Sequence, residues 1–159
     1  MTYYDKISGG YDELHKEEQL NKLKIIKSSL KINKNSRLLD IGCGTGISSD
    51  FECFVVGIDP SIELLKRNNK TMKINGIAET LPFKDGVFDC VISVTALHNF
   101  NDLEKSLEEI TRVGKNNFVF SVLRKSGNFS KIKNLINNNF KIQATMEEEK
   151  DTIFFCSRP

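Results

Sequence analysis

No apolar run in this chain approaches the ~18–20 residues that span a bilayer as a helix. The opening stretch, MTYYDKISGGYDELHKEE, carries no apolar core of a secretory signal. Charge of one sign is lacking too: 23 Lys+Arg against 21 Asp+Glu leave a net +2. A strongly basic nucleic-acid binder is therefore excluded on net charge. Histidine is scarce, with only His15 and His98, and the four cysteines (Cys43, Cys53, Cys90, Cys156) follow no CxxC or Cys/His metal spacing. Zinc is set aside, and the thiols are expected to be unpaired and structural. What remains predicts a soluble, cytoplasmic protein without a membrane anchor. With 39% apolar residues the chain is too hydrophobic for disorder. Its 159 residues predict one domain, large enough to bury about 68–70% of the surface its unfolded chain exposes.

The first fifteen residues are polar, with Tyr3, Tyr4 and Tyr11 around a flexible Ser8-Gly9-Gly10. From about Lys16 to Leu30, Leu20, Leu23, Ile26 and Leu30 recur at helical spacing, with Lys22, Lys24 and Lys27 assigned to the solvent face. Residues 1–35 thus read as an arm and helix, and 36–159 as the core of a single domain. Strands are expected at 37–41, 54–58, 73–78, 89–94 and 118–123. Helices are expected after Ser61, after Asn101 or Asp102, and over 129–136. Alternating strands and helices imply right-handed crossovers and a parallel sheet covered on both faces. The last two strands, about 140–146 and 152–157, are joined by too few residues for a crossover and must form an antiparallel hairpin.

The first strand runs directly into Gly42-Cys43-Gly44-Thr45-Gly46, and the second ends at Asp59. Ligands of open parallel sheets bind beyond the carboxyl ends of the strands, where both features lie. A carboxylate there can accept hydrogen bonds from two ribose hydroxyls. The pattern is GxGxG, not the dinucleotide GxGxxG, and no P-loop GKS/T occurs. A nucleoside-containing cofactor without a polyphosphate fits best.

The stretch Leu38-Leu39-Asp40-Ile41-Gly42-Cys43-Gly44-Thr45-Gly46 resembles the first motif of the class I S-adenosylmethionine-dependent methyltransferases. Gly57-Ile58-Asp59-Pro60-Ser61, Ala78-Glu79-Thr80-Leu81-Pro82-Phe83 and Phe88-Asp89-Cys90-Val91-Ile92-Ser93 are similar to later motifs of that family, in the right order. The resemblance implies a Rossmann-like, doubly wound, mostly parallel seven-stranded sheet with a C-terminal antiparallel hairpin. It implies S-adenosylmethionine as methyl donor and S-adenosylhomocysteine as product. Asp40 and the Gly42 backbone would hold the methionyl ammonium, with Cys43, Gly44 and Gly46 completing the loop around it. Asp59 would take the ribose hydroxyls from a solvent-accessible strand end. Ile58 and Pro60 would line the adenine pocket, Ala78 and Glu79 would face the adenine edge, and Ser93 would meet the methionine end. One departure stands out: only Ile47 to Cys53 separate the loop from the second strand, so a full helix does not fit and the cover of one sheet face should be thin.

The acceptor side is less defined. Val94-Thr95-Ala96-Leu97-His98-Asn99-Phe100 is similar to strand ends of methyltransferases acting on small molecules or tRNA uridine. His98 reads equally as a general base, a substrate contact or a loop residue. Tyr11, beside Gly9-Gly10, fits a lid over the acceptor pocket. Two lysine-rich stretches, Lys22 to Lys34 and Arg124 to Lys141, leave open an RNA acceptor gripped with help from a small activator protein that extends the sheet at its third strand. The third possibility is a non-catalytic module that keeps the fold and binds the cofactor.

Overall fold

The computed structural model describes the backbone of residues 3–159 and the side chains of residues 16–159. Helix α1 spans Tyr3–Ser29, followed by β1 (Arg37–Ile41), β2 (Phe54–Asp59), α2 (Ile62–Lys66) and β3 (Met72–Asn75). Then come β4 (Phe88–Val94), α3 (Leu103–Val113), β5 (Gly114–Leu123), α4 (Phe129–Asn139), β6 (Lys141–Glu147) and β7 (Asp151–Ser157). The strands form one seven-stranded sheet in the order β3-β2-β1-β4-β5-β7-β6. The first five are parallel, with Leu38 flanked by Val55 and Cys90. β7 enters antiparallel beside β5, placing Phe154 opposite Phe120, and β6 closes the hairpin outside it. This is the expected Rossmann-like, doubly wound architecture with its C-terminal hairpin.

Local chemistry accounts for the helix starts. The Ser61 side chain accepts from the Leu64 N–H at 3.2 Å, and Asp102 accepts from the Lys105 N–H at 3.0 Å, so each satisfies a donor that the first turn leaves orphaned. On α3, Leu107, Ile110 and Val113 fall on one face, and on α4 Ile132 and Ile136 do the same. They bury against Leu39, Ile41, Val56, Phe118 and Phe120 on one face of the sheet. Alternate strand residues, including Leu38, Val55, Ile92, Val119 and Phe155, pack on the other face against Leu23 and Ile26 of α1.

Four expectations are corrected. The helix starts at Tyr3, well before Lys16, and runs through Ser8-Gly9-Gly10, so a glycine-hinged lid is not what this backbone forms. The short crossover after the glycine loop is a single 3₁₀ turn, Ile47–Ser49, yet the sheet face behind it is not thinly covered. Helix α1 lies across it, joined by Phe51 from the crossover itself. The apolar stripe of α1 is also rotated: Leu20 is exposed, while Lys22 is 1% exposed and faces inward. The third strand ends at Asn75, leaving Ala78 and Glu79 in the following loop. Tyr11 and His15 lie in α1, but their side chains fall outside the described residues. All four cysteines are free, and burial pushes their thiols up, Cys156 to about 12. Among the described residues, no helix is long and apolar enough to cross a membrane.

Candidate functional site

Strands β1, β2 and β4 end together, and the loops that leave them enclose a cavity of about 350 Å³. The glycine loop forms one wall. Gly42 adopts φ +76, and a Cβ there would stand 2.5 Å from the Ala96 Cβ, so no side chain is tolerated. Gly46 has φ +82 and would clash at 2.5 Å with the Asn68 amide oxygen. Gly44 is different: its nearest neighbour beyond a notional Cβ is 3.6 Å away, and it lines the cavity. There the backbone can approach a ligand closely.

Asp59 sits opposite, 8% exposed. One carboxylate oxygen accepts from the Gly44 N–H at 2.9 Å and the other from the Ser61 N–H at 2.8 Å. Asp59 is therefore no open strand end; it ties the glycine loop to the start of α2. Cys43, Ile58, Pro60 and Ala78 line the same cavity. So does Glu79, whose Oε1 accepts from the N–H groups of Asn101 and Asp102 at 2.8 and 3.1 Å and thereby anchors the loop before α3.

Other expected residues stand behind the walls. Asp40 is fully buried under the glycine loop, with Oδ2 accepting from Ser49 and, at 3.5 Å, from Ser48, while Oδ1 has no partner among the described residues. Burial dominates its titration and pushes the carboxyl up to about 7, against the opposing pull of the Ser49 hydroxyl. Ser93 is also fully buried and donates to the Ile41 carbonyl at 3.0 Å, tying β4 to the end of β1. Gly46 precedes and opens the 3₁₀ turn behind the loop. His98, half-buried, lies in the 3₁₀ turn Leu97–Asn99 and is not on the cavity wall, although Ala96 and Asn99 are. Its Nδ1 is buried without a partner among the described residues, and burial holds its pKa below the ordinary histidine value.

The sequence reading passed over Gln19 and Thr95, both on the cavity wall, and the buried network beside them. Thr95 has φ 53, an outlier for a β-branched residue. Its hydroxyl accepts from Lys22 Nζ at 2.9 Å and donates to Asp151 Oδ2 at 2.7 Å, and Ser121 donates to that same oxygen at 2.5 Å. Lys22 and Asp151, both fully buried, form an ion pair at 3.4 Å. One signal was available: Asp151 is in period-two phase with Ile153 and Phe155, which pack on the α1 face.

Nothing charged positively lines the cavity among the described residues, while Asp59 and Glu79 do. A phosphate is poorly matched; a neutral nucleoside carrying a cationic group fits. Residues 39–122 match the family model described as a methyltransferase domain. The chain belongs to the class I S-adenosylmethionine-dependent methyltransferases. An uncharacterised protein of Methanocaldococcus jannaschii is 36% identical over 157 residues, 95% of this chain and 62% of that protein. The chain spans about three fifths or less of the length of the curated relatives it matches. A Thermotoga maritima S-adenosylmethionine-dependent methyltransferase has the same fold, with a TM-score of 0.79, 18% identity and 98% of each chain covered. A chain from the complex between the Haloferax volcanii Trm112 methyltransferase activator and a methyltransferase matches with a TM-score of 0.81, 14% identity and 99% and 98% coverage.

Proposed function

We propose that this methyltransferase binds S-adenosylmethionine in the cavity between the glycine loop and Asp59 and transfers its methyl group to a small-molecule acceptor. The observation that carries the reading is the pairing of the Gly44 backbone with a buried Asp59 carboxylate at the carboxyl ends of β1 and β2. When bound, the sulfonium supplies an activated methyl group. The chain's own residues bind and orient. Asp59 accepts the ribose hydroxyls, Ile58 and Pro60 flank the adenine, and Ala78 and Glu79 border its edge. Asp40, behind the loop, supplies negative charge for the methionyl ammonium, and its ionisation couples to binding. Affinity should therefore strengthen as pH rises through about 7. His98, kept neutral by burial, suits a proton acceptor near the end of β4 if the acceptor atom must be deprotonated.

The test is calorimetric titration with S-adenosylhomocysteine, followed by a methyl-transfer screen of small molecules and of tRNA. Binding without transfer to any acceptor would favour the non-catalytic module. Absence of binding would sink the donor assignment.

A second reading, an RNA methyltransferase working with a small activator, is supported by one sheet edge. β3 is the outermost strand, and Met72 on it is 59% exposed, with Phe54 on neighbouring β2 50% exposed. An uncovered strand of this kind is a template for pairing with another chain. The likeness to the Haloferax complex points the same way. Against it, Lys22 is withdrawn from the basic surface of α1 by its buried ion pair. Gel filtration with a Trm112-type activator, with Met72→Glu as control, tests this reading. Co-elution abolished by the substitution would favour it over the small-molecule assignment.

A further inference from the structure

Helix α1 brings Gln19 to the cavity wall, and beside it a buried polar contact ties the helix to the segments at the end of β4 and the start of β7. Lys22 pairs with Asp151 at 3.4 Å and reaches Thr95 at 2.9 Å, so three segments distant in sequence meet at the end of β4. Thr95 remains in a left-handed conformation that costs a β-branched residue free energy unless its surroundings impose it. Its hydroxyl is bonded on both sides, and its N–H donates to the Ser121 carbonyl at 2.9 Å. Gln19 lies one turn before Lys22 on the same face of α1. It is 7% exposed, it lines the cavity, and its amide makes no hydrogen bond to the described residues. Its amide opens onto the cavity, where its N–H donors are available to a ligand.

The ligand's chemistry follows from what else faces the cavity. A zwitterionic amino-acid group has an ammonium, which the Asp40 side of the glycine loop attracts, and a carboxylate, which Asp40, Asp59 and Glu79 all repel. The carboxylate needs N–H donors away from those three groups. No lysine, arginine or histidine among the described residues lines the cavity. The Thr95 hydroxyl proton is already given to Asp151.

We infer that the Lys22–Asp151–Thr95 contact is a positioning device that seats α1 so that the Gln19 amide binds the carboxylate of the donor's amino-acid end. Gln19 touches the ligand; Lys22, Asp151 and Thr95 act through it. The inference rests on the proposed binding of S-adenosylmethionine, and the probes below separate the two.

Wild-type protein is titrated with S-adenosylhomocysteine and with 5′-methylthioadenosine, which keeps the nucleoside thioether and lacks the amino acid. Failure of the wild type to bind either compound would refute the donor assignment itself. Given binding, Gln19→Leu should weaken S-adenosylhomocysteine about ten- to a hundredfold, the loss of a hydrogen bond to a charged group. Its affinity for 5′-methylthioadenosine should stay within about twofold. Equal affinities of Gln19→Leu and wild type for S-adenosylhomocysteine would overturn the inference and leave the donor assignment standing; so would an equal loss for both compounds. Thr95→Val keeps the side-chain shape and removes both hydroxyl hydrogen bonds. It should also weaken S-adenosylhomocysteine selectively, and adding Gln19→Leu should cost little more. Fully additive losses in the double variant would show that Thr95 does not position Gln19.

Discussion

Asp40→Asn should make this protein more stable at neutral pH. The Asp40 carboxyl is completely buried, and among the described residues one of its oxygens has no partner and no cation offsets it. Burial raises its pKa from 3.8 to about 7 in the fold. The sign follows from proton counting. Between pH 4 and pH 7 the folded protein holds a proton that the unfolded chain has released, so stability falls as pH rises through this window. Each pKa unit corresponds to about 1.4 kcal/mol, so the ionised group costs the fold about 4 kcal/mol once the pH exceeds both values. Asparagine never ionises, and its amide can keep an interaction with Ser49. The variant should match wild type at pH 4 and exceed it by up to about 4 kcal/mol at pH 8. For a domain of this size that is roughly 8–16 °C in Tm. Thermal or urea melts of both proteins at pH 4, 5, 6, 7 and 8 measure it. Other titrating groups, such as Glu109, held down to about 2 by Arg112, cancel in the difference between the two proteins. A difference that does not change with pH, or a variant less stable at pH 8, would refute the reasoning. The same substitution should weaken S-adenosylhomocysteine above pH 7, because the charge that strains the fold is the one assigned to the ligand's ammonium.

Asp59→Ala should lower S-adenosylhomocysteine affinity by about a hundredfold or more, two hydrogen bonds to a charged group being lost. It should also lower Tm, since the Gly44 and Ser61 N–H groups lose their acceptor; calorimetry and a melt read the two effects. Lys22→Met should cost about 3–5 kcal/mol in urea unfolding by leaving Asp151 buried and unpaired. Adding Asp151→Asn should recover part of that loss, and a double variant no better than the single would argue against the pair. If His98 is the proton acceptor, kcat/KM measured across pH 5–8.5 should lose activity only below the ordinary histidine value of 6.5, because burial lowers its pKa. An inflection above 6.5 would assign the proton to another group.

The order of elements, the parallel sheet with its closing hairpin, the glycine loop and Asp59 were legible in the sequence because each rests on a local signal. Strand periodicity, capping residues at Ser61 and Asp102, and glycines where a Cβ would clash are written within a few neighbouring positions. The long helix α1 was only half legible. Its stripe was read from Leu20, Leu23 and Ile26, yet the inward face includes Gln19 and Lys22, because a buried ion pair and a cavity wall accept polar residues that periodicity assigns to solvent. The partner of Lys22 lies 129 positions away in β7, and no window of sequence joins Lys22 to Asp151. Likewise, Asp40 is an ordinary acidic residue in a motif until the fold removes its water and leaves one oxygen without a partner among the described residues. Tertiary packing decided these charges, because desolvation and long-range pairing depend on what surrounds a group in space.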